Sequence, residues 1–116
     1  MNSIVNDVIV SFNEYVGKVP DGCNYIEERL RLDNVKEGLD AIKDFSEGML
    51  WLVDAAELLK QNEINVEFDI KDIMEFLNEI NEALMNEDMY LVADLFIYEI
   101  KPYFEKIEPI KNLNVN

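Results

Sequence analysis

The chain has 116 residues, of which 25 are acidic and 10 basic, giving a formal charge of −15 and a pI near 4.1. Such a surface repels phosphate backbones and anionic lipid, so neither nucleic acid nor a membrane surface is expected as a partner. A hydrophobic content of 49% over this length suits one domain with one contiguous core, and the absence of histidine removes every histidine-based triad or dyad and the Glu-x-x-His type of iron site.

Cys23 is the only cysteine, so no internal disulfide can form, which fits a reducing compartment. The first ten residues lack a basic region and are interrupted by Asn6 and Asp7, and the longest purely apolar run is residues 49–53. Neither a signal peptide nor a membrane span is expected, and a cytoplasmic location follows.

Residues 3–16 place Ile4, Val5, Val8, Ile9, Phe12 and Val16 at helical spacing, with Ser3 as a candidate N-cap and Gly17 as a stop. Val19-Pro20-Asp21-Gly22 then reads as a reversal, because proline presets the backbone and glycine accepts positive φ. A short helix over residues 25–32 is predicted next. It holds Arg29 and Arg31, the only arginines in the chain.

A long helix runs from Val35 to about Gln61. Asn34 with Glu37 three residues on resembles a capping box. Its main apolar face comprises Val35, Leu39, Ile42, Phe45, Met49, Leu52, Val53, Ala56 and Leu59. A second, smaller stripe, Trp51, Ala55 and Leu58, lies on the far side among Asp40, Asp44 and Asp54. A helix apolar on two sides either packs between neighbours or offers one side to a partner, so these three residues form a candidate partner face.

Residues 62–68 are a connection, briefly extended at most. Asp69 is a candidate N-cap with Asp72 in the first turn, and Phe68 is placed to staple against Ile73. The third helix, residues 70–85, has an inner face of Ile70, Ile73, Met74, Leu77, Ile80 and Leu84 and an acidic outer face of Asp72, Glu75, Glu79 and Glu82. Asn86 is expected to take the left-handed conformation that ends it.

In the final helix, residues 88–107, a step of about 100° per residue brings Met89, Val92, Phe96, Ile100, Tyr103 and Ile107 into one buried sector. Glu99 falls inside that sector, beside Leu95, Phe96 and Tyr103. A carboxylate there costs several kcal/mol unless paired, about 2 to 4 kcal/mol being expected on loss of the pairing. Arg29 and Arg31 are the natural partners, with a tyrosine hydroxyl as the alternative. Pro102 predicts a kink or a restart, Pro109 ends the helix, and residues 110–116 are expected to be a loosely held tail outside a domain of residues 1–109.

The spacing Asp88, Ala93-Asp94, Tyr98-Glu99, Pro102, with Glu47-Gly48-x-x-Trp51-Leu52 in the long helix, resembles an uncharacterised family of small acidic helical proteins from Gram-positive bacteria. The resemblance covers roughly the last two-thirds of the chain. It implies a helical fold and no activity, and directs attention to Trp51 and Glu99.

The expected fold is therefore all-α: an up-and-down antiparallel four-helix bundle with an additional short helix after the first. No catalytic residue, cofactor or metal ligand is expected. The expected role is non-enzymatic, a small acidic interaction module, chaperone-like by fold-level analogy, that binds a protein partner or a second copy of itself. The alternative is a carboxylate-based metal-binding protein or hydrolase using Glu99 with Asp94 or the outer acids of the third helix.

Overall fold

The computed structural model describes residues 3–111, which form four helical stretches with no strand among them. Three are regular helices: α1 (Ser3–Arg31), α2 (Val35–Gln61) and α3 (Ile70–Met85). The fourth begins as α4 (Met89–Asp94), widens into a π-helical segment (Leu95–Ile100) and returns to α-helix in α5 (Lys101–Glu105). α1 lies at the centre, packing on α2 and on all three parts of the fourth stretch, while α3 touches α2, α4 and the π segment.

The expected stop at Gly17, reversal over residues 18–24 and separate helix over residues 25–32 do not form; α1 runs unbroken through Pro20. Its buried residues explain why. Val5, Ile9, Phe12, Val16, Val19, Cys23, Ile26 and Leu30 follow alternating steps of four and three, and that period passes through the proline without a skip. A proline inside a helix costs about 3 kcal/mol, mainly through the lost bond to the carbonyl four residues back, here Val16. Burying Val19, Ile26 and Leu30 is worth about 1.5 to 3 kcal/mol each, so the core outweighs the local turn signal.

The fourth stretch answers its own proline differently. Pro102 has no N–H to offer the Tyr98 carbonyl, and its ring crowds that carbonyl. The strain is taken up one turn earlier, where the Lys101 N–H bonds the Phe96 carbonyl five residues back instead of four. The large side chains sealed most completely, Val92, Phe96, Ile100 and Phe104, then fall three successive steps of four apart, with Ala93 and Leu95 buried beside them.

The exits of the three regular helices share one device. Asp33, Glu63 and Glu87 take positive φ of 62, 62 and 54°, a conformation usually left to glycine. The following N–H in each case reaches the carbonyl five residues back: Asn34 to Arg29, Ile64 to Leu59 and Asp88 to Ala83, at 2.8 to 3.0 Å. The left-handed position expected at Asn86 is thus occupied by Glu87. Asp69 and Asp88 cap α3 and α4 through their carboxylates, accepting from the Lys71 and Leu91 N–H groups at 2.9 and 3.1 Å. Asn34 precedes α2 as expected but its side chain makes no cap, and Glu37 is engaged by Arg29 instead.

The core is knit by aromatic pairs between elements. Phe12 stacks on Phe68 with centroids 5.7 Å apart, and Phe45 meets Phe96 edge-on at 4.9 Å. Tyr103 donates to Asp72 at 2.9 Å and accepts from the Asp69 N–H at 3.2 Å, locking α5 to the start of α3. Among the described residues no polar or charged side chain is buried. The chain beyond α5 is strapped back onto α1: the Asn13 amide donates to the Ile110 carbonyl at 3.0 Å and accepts from the Ile110 N–H at 2.9 Å. The tail expected over residues 110–116 lies, from residue 112 onward, outside the described residues.

Candidate functional site

Glu99 is exposed, so the buried acid expected in the fourth helix is corrected. The π segment is the cause. In a regular helix Glu99 comes round between Leu95 and Phe96, but a wider turn advances each residue through a smaller angle and carries it out of the sector. Neither arginine meets it. Arg29 donates to Glu28 and Glu37 at 3.0 and 3.3 Å and covers the Tyr25 ring at 5.4 Å, while Arg31 donates to Glu27 and to Asp94, both at 2.6 Å. The phenol of Tyr103 is committed to Asp72.

Glu99 faces another acid instead. Partial withdrawal from water, then the hydrogen bond with Glu99 and the neighbouring Glu75 and Glu82, push the Glu79 carboxyl above its ordinary range. Among the described residues no three cysteine, aspartate or glutamate side chains converge as a metal site would require. Asp94, the other acid of the carboxylate-based alternative, is held by Arg31.

The stripe on the far side of α2 is divided. Ala55 is buried in the chain's own core and Leu58 is half-buried, whereas Trp51 keeps 40% of its surface exposed. Trp51 is steadied by an edge contact to Tyr15 of α1, with centroids 6.2 Å apart. Gly48 makes that contact available: a Cβ there would collide with the Tyr15 hydroxyl. Burial, with smaller contributions from Cys23 and Asp44, pushes the Tyr15 phenol up, so it is a neutral donor at ordinary pH.

Beyond Tyr15 a groove of about 300 Å³ opens between α1 and α2. Core side chains Val19, Ile26 and Phe45 form its floor, Tyr15 and Tyr25 its walls, and Gly22 and Ala41 leave it open. Lys18 and Asp44 are the charged groups on its edge. A second hollow of about 280 Å³, bordered by Ser11, Glu14 and Trp51, adjoins it through Tyr15 and Lys18. Together they make an aromatic-walled channel from Trp51 to Tyr25 along one side of α1. Tyr15, Lys18, Gly22 and Tyr25 share one helical face only if α1 is continuous; dividing the helix at Gly17 hides the pattern.

Cys23 offers no chemistry to this channel. It is fully buried, and that burial raises its thiol to about 12, leaving it protonated and inert.

The architecture is that of a small all-helical domain with an apolar channel between two of its helices. The chain belongs to the family described as Domain of unknown function (DUF8042), whose pattern matches residues 7–110. No curated protein and no solved structure matches it.

Proposed function

We propose that this chain is a non-enzymatic interaction module of the cytoplasm, an up-and-down antiparallel bundle whose channel between α1 and α2 receives part of another protein in a chaperone-like manner. The observation that carries this reading is the channel itself. It combines a floor of core residues with two half-open aromatic walls and Trp51, and tyrosine and tryptophan are the side chains that most often anchor protein contacts. The antiparallel order is supported by Leu30 lying over Gly38 and Tyr15 over Gly48, so the end of α1 meets the beginning of α2. A single protonated thiol with no disulfide supports the cytoplasm. The carboxylate-based alternative gains no support, since Asp94 is engaged by Arg31 and Glu99 faces Glu79.

Site-specific photo-crosslinking in cells tests the proposal. A photoreactive amino acid at Tyr25 or Trp51 is expected to capture a discrete partner that the same group at Tyr98, on the exposed side of the π segment, does not. Equal or absent capture from all three positions would remove the interaction reading.

A further inference from the structure

We infer that the occupant of the α1–α2 channel is an amphipathic helix with an apolar face and lysine- or arginine-rich flanks; this rests on the interaction-module reading and names the class of partner. Length comes first. The channel follows α1 from Ser11 to Ile26, a rise of about 22 Å, or some four turns of a partner helix. Backbone chemistry comes second. Both walls are helices whose backbone groups are satisfied internally, the Val16 carbonyl opposite Pro20 aside, so an extended peptide laid on this floor would find no ladder of partners and would lose water from its own amides. A helix brings its backbone bonds with it.

Close approach is built in. Gly22 lies in the channel, and a Cβ placed there would meet no atom within 4 Å, so a partner side chain has open space above the helix surface. Charge then selects the flanks. The channel is bordered by Glu14 and Asp44 against one cation, Lys18; Glu47 and Asp54 lie further along α2, where Asp40 is paired with Lys36, and the chain carries a formal charge of −15. Arg29, the nearest guanidinium beyond Tyr25, is already neutralised by Glu28 and Glu37. A second copy would bring the same negative field against itself, whereas a cationic helix is drawn in.

The test uses the full chain at 150 mM salt and two synthetic 18-residue amphipathic helices with the same leucine face, one flanked by lysine and one by glutamate. Binding is read from Trp51, the only tryptophan. Two variants serve as a matched pair: Gly22→Leu fills the channel, and Gly17→Leu fills the hollow beside residues 104–109 on another side of α1. A Cβ at either position meets no atom within 4 Å and each substitution replaces a helix-interior glycine, so both variants are expected to fold, which their thermal unfolding checks. The lysine peptide is expected to bind one to one, at least tenfold more weakly to Gly22→Leu and unchanged to Gly17→Leu. The glutamate peptide should bind at least thirtyfold more weakly.

Equal binding to Gly22→Leu would reduce the attraction to bulk charge and overturn the inference. So would equal binding of the glutamate peptide. A self-association abolished by Gly22→Leu, without peptide binding, would assign the channel to a second copy. Failure of peptide binding while Tyr25 still captures a partner discards the partner class alone; failure of both discards the module reading as well.

Discussion

Two helices of this fold contain a proline, and they treat it in opposite ways. α1 absorbs Pro20 without losing register, whereas the fourth stretch inserts a wider turn ahead of Pro102. The difference lies in the spacing of the buried residues. Steps of four and three in α1 average the period of a regular helix, and apolar side chains on both sides of Pro20 hold it there. Three steps of four between Val92 and Phe104 are too long for a regular helix and need the extra residue that a π turn accommodates. A proline therefore perturbs a helix only as far as the core pattern around it permits.

The sharpest way to break this comparison is to delete one exposed residue from each helix. Loss of Glu14 would turn Val16 through Leu30 by about 100° away from the core, and we expect no cooperative unfolding transition to remain. Loss of Tyr98 converts the step from Phe96 to Ile100 into three and restores a regular period, so a folded protein within about 2 kcal/mol of the parent is expected. Urea titrations giving similar losses for both deletions would refute the account.

Pro20→Ala comes next. Restoring the bond to the Val16 carbonyl in a helix that is already continuous should raise stability by about 1 to 3 kcal/mol in the same titration. A loss would mean that Pro20 shapes α1 and is not merely tolerated.

Tyr103→Phe probes the anchorage of the stretch that did change register. It removes the bonds to Asp72 and the Asp69 N–H and should cost about 1 to 2 kcal/mol. Burial, with Asp72 adding to it, raises the Tyr103 hydroxyl to about 12. A group raised on folding stabilises fully below its unfolded pKa, so this contribution should fade as pH climbs from about 10 to 12. Alkaline unfolding of the wild type and the phenylalanine variant should converge in that window.

The smallest effect belongs to the acid that the π turn displaced. Glu99→Gln relieves the Glu79 carboxylate at neutral pH and should stabilise by about 0.3 kcal/mol. Because the Glu79 carboxyl is raised in the fold, its contact with Glu99 is favourable in acid and lost as pH rises through the folded value. The advantage of the variant should accordingly shrink or reverse near pH 4. A constant difference across pH would show that Glu99 has no part in raising the Glu79 carboxyl.

Much of the helical layout is legible in the residues themselves. The bounds of α2 and α3 follow from apolar periodicity and from Asn34 and Asp69, and both helices form where expected. Val19-Pro20-Asp21-Gly22 misleads because it carries every local mark of a reversal while Val16, Val19, Cys23 and Ile26 carry the longer-range signal that wins. Glu99 misleads for another reason. A fixed step of about 100° does not describe a segment whose most deeply buried side chains, Val92, Phe96, Ile100 and Phe104, recur every four residues. The channel could not be seen from α2 alone: Trp51 is legible, but Tyr15, Gly22 and Tyr25 become one face only once α1 is whole, and the service of Gly48 to Tyr15 is purely tertiary.

The clasp between Asn13 and Ile110 has a consequence for how the chain is made. At synthesis rates of about 5 to 20 residues per second, the asparagine waits roughly 5 to 20 s on the ribosome for the residue 97 positions later that completes it. Throughout that interval the side of the first helix meant for the last segments stays bare on the nascent polypeptide. Docking is thus late relative to the making of the first helix, which must remain unclaimed by other sticky surfaces until Ile110 has emerged.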